Sequence, residues 1–144
     1  MKSSDQAIGD VAARFGIETH VLRHWEDVGL LRPARDAGGR RRYTDDDLVR
    51  VAVILRSKAA GMSLEQIGVL LDEEAPSRHE VLEAHLADLA RRMAEMERSR
   101  EMTEHALRCR AHDITQCPRF RGFLTDVLAG ETAWSTSSWE SLSR

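Results

Sequence analysis

The chain has 144 residues, 42% hydrophobic but only 5% aromatic, with 21 Lys+Arg against 24 Asp+Glu and a formal charge of −3. That length suits one domain, or a small domain with an arm, and so few aromatics exclude a large aromatic-rich core. No apolar run approaches the ~18 residues of a membrane span, the opening MKSSDQAIGD lacks an apolar signal segment, and a cytoplasmic protein is expected.

The charge is unevenly spread. Residues 1–60 carry 11 Lys+Arg against 9 Asp+Glu, whereas residues 61–108 carry 6 against 11. Within the first part, Arg40, Arg41 and Arg42 follow Gly38 and Gly39. Such clustering predicts a polyanion-facing head and an acidic, solvated stalk.

In AIGDVAARFG, the apolar positions Ile8, Val11, Ala12 and Phe15 form one helical stripe that Gly16 ends. The segment ETHVLRHWEDVG starts again, with Val21, Leu22, Trp25 and Val28 inward and Gly29 as the stop. Two short helices around a Gly-containing turn form a helix-turn-helix pattern, whose second helix can lie in a major groove. Its outward face carries Thr19, His20, Arg23 and His24, donors suited to phosphates and base edges. A generic two-helix hairpin with a polar face would read the same way.

LLRPARDAGGRRRY then suits a two-stranded hairpin with a basic tip that can flank a duplex, and Arg40, Arg41, Arg42 and Tyr43 are its candidate DNA contacts. Thr44 and three aspartates open the next helix, TDDDLVRVAVILRSKAAG, whose apolar face is Leu48, Val51, Ile54 and Leu55. Gly61 ends it, and Ser63 begins SLEQIGVLLDEE with Gln66 at the capping-box position. The order helix, helix, hairpin, helix, helix predicts a winged helix-turn-helix over residues 1–75.

From His79 to Arg108 there is neither Pro nor Gly. Leu82, Leu89, Met96 and Thr103 recur every seven residues, as do Leu86, Met93, Arg100 and Leu107. This is an a/d seam with charged residues elsewhere. Thirty helical residues span about 45 Å, so a partner helix is the expected cover, and residues 76–108 are read as a dimerisation helix with Leu82, Leu86, Leu89, Met93, Met96 and Leu107 at the interface.

The only two cysteines, Cys109 and Cys117, follow. In a continuous helix they would stand about 12 Å apart along the axis. Pro118, Asp113 and Thr115 instead predict a loop that lets both sulfurs converge. Cys117 then serves as N-cap, with Pro118 first in a short helix, PRFRGFLTDVLAG, where its thiol pKa is lowered. The residue types leave three readings open: metal ligands, a redox pair, or small packing side chains. Residues 109–130 are taken as this effector loop and helix, and residues 131–144, Ser-rich and without helical period, as a disordered tail. No acid/base constellation, phosphate-binding Gly motif or nucleophile elbow is present, so an enzyme is not expected.

The run IGDVAARFGIETHVLRHWEDVGLLRPARDAGGRRRYTDDDLVRVAVILRSKAAGMSLEQIGVLL resembles the DNA-binding domain of the MerR family of bacterial transcriptional regulators over roughly residues 7–71. The resemblance rests on the element order, LRHWEDVGLL, the RRY junction with its acidic cap, and GMSLEQI. His24 and Trp25 stand where the family commonly has two tyrosines, and His20 where it usually has Arg. The resemblance implies a mainly α, winged helix-turn-helix protein that dimerises through an antiparallel coiled coil. It further implies binding to a near-palindromic promoter with an overlong spacer, distorting the DNA so that RNA polymerase can use it when a signal arrives.

Cys109 and Cys117, with seven residues between them and Pro118 next, match the loop of the family's copper-, silver- and gold-responsive members. There, the resemblance implies, two thiolates hold a soft monovalent ion such as Cu(I). The region DEEAPSRH lacks the extra cysteine of the zinc-, mercury- and lead-responsive members, and an iron–sulfur cluster would need four cysteines. His79, His105 and His112 are possible nitrogen ligands. A thiol-redox regulator and an architectural DNA-binding protein without ligand response are the alternatives.

Overall fold

The structure, a computed structural model, describes residues 5–131; the expected disordered tail, except for Glu131, lies outside the described residues. These residues fall into two compact units that part between Leu89 and Ala90.

In the first unit, helix α1 (Ile8–Phe15) ends where Gly16, at φ 65°, donates its N–H to the Ala12 and Ala13 carbonyls. This left-handed turn suits glycine, which has no Cβ to clash. It reverses the chain into α2 (Thr19–Asp27). The wing is two short antiparallel strands, β1 (Ala34–Arg35) and β2 (Arg41–Arg42), with Ala34 opposite Arg42 and Arg35 opposite Arg41. Its turn is fixed by Asp36, whose side chain accepts from the N–H groups of Gly38 and Arg40 at 2.9 and 3.0 Å.

Helix α3 (Asp45–Ala59) begins with a reciprocal cap in which Thr44 and Asp47 each bond the other's backbone N–H. Helix α4 (Leu64–Leu71) repeats the device with Ser63 and Gln66. Such caps satisfy amides that a helix start otherwise leaves unpaired.

These elements close on one core: Val11 and Ala12 from α1, Leu22 and Trp25 from α2, Leu30 and Leu31, Tyr43, then Leu48, Val51, Ile54, Met62 and Ile67. Full burial of one such large side chain contributes about 1.5–3 kcal/mol, so this cluster outweighs any single surface ion pair. Val28, expected inward, is 49% exposed. It is the residue after α2 ends and has left the helical stripe. Tyr43, expected at the DNA-facing surface, is instead fully buried. Its backbone exchanges two 2.9 Å hydrogen bonds with Gln6, which holds the ring at the junction of wing and α3.

Helix α5 (Arg78–Arg108) contains no buried residue. In the second unit, its continuation carries the i,i+4 ion pairs Arg91–Glu95 and Arg100–Glu104. A 3-10 turn (Ile114–Gln116) follows, then α6 (Pro118–Gly122) and α7 (Thr125–Leu128). Arg98 reaches Asp126 at 2.8 Å and ties α7 to α5. The single helix expected over residues 118–130 is therefore broken. Gly122 is a weak helix former, and the Thr125 hydroxyl donates to its carbonyl at 3.0 Å, giving that carbonyl a partner other than a helical N–H. No described helix is long and apolar enough to cross a membrane.

Candidate metal centre and charged surfaces

Helix α5 carries His105 in its last turn, and Cys109 follows one turn later on the same face, its N–H bonded to the His105 carbonyl at 2.8 Å. The chain then leaves the helix. Asp113 accepts from both the N–H and the hydroxyl of Thr115, at 2.9 and 2.7 Å, and this turn starts the 3-10 segment. The Cys117 N–H closes the segment on the Ile114 carbonyl. Cys117 is the N-cap of α6 with Pro118 just inside.

The loop thereby returns Cys117 to the end of α5. His105 Nε2 lies 3.3 Å from Cys117 Sγ, and the donor atoms of His105, Cys109 and Cys117 all lie within 4.8 Å of one another. Both thiols are free and half-buried. The His105 ring stands 6.2 Å from that of Phe123, tilted by 50°, so an apolar ring flanks the imidazole.

The Cys117 thiol is drawn from the ordinary 9.0 down to about 7. The backbone N–H of Phe120 is the largest cause, followed by the His105 side chain, with smaller help from Cys109 and the Arg119 N–H against a cost of burial. The Cys117 side chain makes no full cap hydrogen bond, so the Phe120 amide acts as a nearby aligned dipole. Two sulfurs, one already near half thiolate at neutral pH, and an imidazole form a donor set suited to a soft or borderline ion.

Sequence reasoning named both cysteines but left His105 as one of three histidines. The other two lie elsewhere: His79 pairs with Glu83 at 3.1 Å in the first turns of α5, and His112 is exposed in the loop. The available signal was the four-residue spacing from His105 to Cys109, which aligns two ligands once the helix is known to reach Arg108.

On the head, His20, Arg23 and His24 are exposed along α2, and Thr19 is half-buried. Arg23 reaches the Thr19 hydroxyl at a long 3.4 Å. Arg40 is exposed at the wing tip, but its two neighbours are engaged: Arg41 with Glu26, Arg42 with Asp36 at 3.3 Å. Arg35 also meets Glu26, at 3.2 Å. Sequence reasoning missed Glu26. In the stalk, Leu82 and Leu89 are half-buried, whereas Leu86, Met93, Met96 and Leu107 are 66–84% exposed.

Two family models match the chain: a MerR helix-turn-helix family regulatory protein model over residues 7–74, and a MerR DNA-binding model over residues 48–105. The chain is 29% identical over 118 residues to the transcriptional regulator HmrR of Rhizobium leguminosarum, covering 77% of this chain and 92% of that one. It is 32% identical over 111 residues to heavy metal-dependent transcription regulator 1 of Rhizobium meliloti, covering 72% and 76%. Among solved structures, it is similar to HiNmlR, a MerR family regulator lacking the sensor domain and bound to promoter DNA. That match has a TM-score of 0.61 and 28% identity, covering 72% of this chain and 87% of that one.

Proposed function

The chain belongs to the MerR family of helix-turn-helix transcriptional regulators, and on that premise we propose that it acts as a promoter-bound homodimer answering to a soft metal ion held by Cys109 and Cys117. The observation that carries this reading is the convergence of those thiols beside His105, with all donor atoms within 4.8 Å. When bound, the ion supplies charge and a cross-link between the end of α5 and the start of α6. The chain's residues supply thiolates and the turn that gathers them.

DNA recognition is assigned to the head. The exposed donors His20, Arg23 and His24, with Thr19 at the start of α2, face a groove, and Arg40, Arg41 and Arg42 of the wing flank the phosphates. That a relative with this fold is bound to promoter DNA supports the assignment. The apolar positions Leu82, Leu86, Leu89, Met93, Met96 and Leu107 face a second copy as an antiparallel coiled coil. Functionally, residues 1–75 read DNA, 76–108 dimerise and 109–130 sense. Metal capture shifts an equilibrium between two DNA-bound dimer conformations, one of which distorts the promoter for RNA polymerase.

A second reading is favoured by the Cys117 thiol near 7 beside another sulfur: a redox switch through a Cys109–Cys117 disulfide. Metal analysis of anaerobically purified protein tests the two. One soft ion per chain, lost in Cys109→Ser and in Cys117→Ser, supports metal sensing. Metal-free protein that forms the disulfide under mild oxidant, and takes up no added Cu(I), replaces it with redox sensing.

A further inference from the structure

We propose that His105 is a third metal ligand, so that the cluster is a nitrogen–sulfur–sulfur site that holds a divalent ion of the zinc class as well as a monovalent one. The inference rests on the metal-sensing reading of Cys109 and Cys117 and adds the ligand that sets which ions the site accepts.

Three features of the cluster support it. His105 and Cys109 are one helical turn apart, which places two donors side by side on a rigid element. The imidazole aims Nε2, not a ring carbon, at Cys117 Sγ from 3.3 Å. A tetrahedral ion with bonds of about 2.3 Å to sulfur and about 2.0–2.1 Å to nitrogen separates such donors by about 3.6 Å, so small adjustments admit it. Finally, neither other candidate histidine has this placement: His79 is paired with Glu83 and His112 is exposed.

Two thiolates alone suffice for a two-coordinate monovalent ion. A divalent ion of the zinc class prefers four ligands, of which three come from protein in open sites. Its charge is balanced by two thiolates, and His105 is the donor that brings the protein's share to three.

The test is anaerobic titration of the full chain with Co²⁺, displaced by Zn²⁺, and separately with Cu(I). The parent should bind one Co²⁺ per chain, with thiolate charge-transfer bands and the intense visible absorption of a tetrahedral ion. His105→Gln should weaken Co²⁺ by more than the ~10–100-fold that removal of a mere hydrogen-bond partner of a ligand causes, while Cu(I) uptake stays within a few fold. His105→Cys should restore Co²⁺ binding with stronger charge transfer. A parent that binds Cu(I) but not Co²⁺, or a Gln variant that loses both ions equally or neither, overturns the third-ligand proposal alone. A parent that binds neither ion overturns metal sensing itself, and this inference with it.

Discussion

Arg41 in the wing donates to Glu26 in the last turn of α2, and Arg35 reaches the same carboxylate at 3.2 Å. One acidic side chain thus ties the wing to the helix proposed to enter the groove. Sequence reasoning grouped Arg40, Arg41 and Arg42 together as DNA contacts of the basic wing. The structure separates an exposed Arg40 from two arginines with intramolecular carboxylate partners.

That separation makes the three wing arginines behave differently on DNA. Arg40→Ala should lower the salt slope of operator binding by about one counterion and leave thermal stability unchanged. Glu26→Gln should keep the charge of every arginine yet loosen the wing, costing about 1 kcal/mol or less in stability. The lost carboxylate charge acts on any DNA alike, whereas the orientation of the wing matters to the operator, so the variant should lose preference for the operator over non-specific DNA. Fluorescence anisotropy across a salt series measures both. Equal slopes for the parent and Arg40→Ala would remove Arg40 from the phosphate contacts.

Tyr43 is expected to serve the core. Its ring is fully buried and its hydroxyl has no hydrogen-bond partner among the described residues. Burial is also the first cause of its raised pKa. Tyr43→Phe removes a buried polar group without opening a cavity, so stability should hold or rise by about 1 kcal/mol, with operator affinity retained. A marked loss of affinity at unchanged stability would return the hydroxyl to the DNA interface.

The stalk offers a cleaner test of assembly. Met93 is 72% exposed in the chain by itself, so Met93→Asp disturbs nothing inside one copy. If two copies meet along this face, the substitution buries a charge at the seam, and the dimer should dissociate with a parallel fall in operator affinity. Sedimentation velocity at micromolar concentration is the measurement. A parent that sediments as a monomer ends the coiled-coil proposal.

Local rules carried most of the head. Thr44, Ser63 and Gln66 announced their helix starts because capping depends on residues three apart, and the Leu22 and Trp25 stripe followed from helical period alone. What escaped was long-range. Glu26 is paired with Arg41, fifteen positions away, and His105 with Cys117, twelve away; no spacing rule links either pair. Tyr43 was misplaced for a related reason: its position beside three arginines suggested the surface, whereas its burial is set by pairing with Gln6. The break after Gly122 depends on one hydroxyl contact that composition does not display.

Thiol reactivity should distinguish Cys117 by its pH profile. With a thiol near 7, half-maximal alkylation of Cys117 in the apo protein should fall near that pH. His105→Gln should move the midpoint upward, while the larger contribution of the Phe120 N–H remains. The folded value is depressed, so the thiolate's contribution to stability is fully present above the unfolded value of 9.0 and disappears as pH falls through about 7. Mass spectrometry of alkylated peptides reads the midpoint. An unchanged midpoint in the His105 variant would mean that the imidazole does not influence the thiol.

Metal uptake should carry the same signature in its protons. Both ligating sulfurs bind as thiolates, so capture must expel whatever protons they still hold. With its thiol near 7, Cys117 is mostly protonated at pH 6 and mostly ionised at pH 8. It alone should therefore release about 0.8 proton more at the lower pH. Below about 7, this one group should also weaken metal binding by about tenfold per pH unit, and above that value its effect should fade. Proton release in weakly buffered indicator solution, titrated anaerobically with Cu(I) at both pH values, gives the first quantity, and competition titrations give the second. In Cys117→Ser, which should not take up the ion, the release should vanish at both pH values. Should it persist there, the proton would come from another group and Cys117 would not be the titrating ligand.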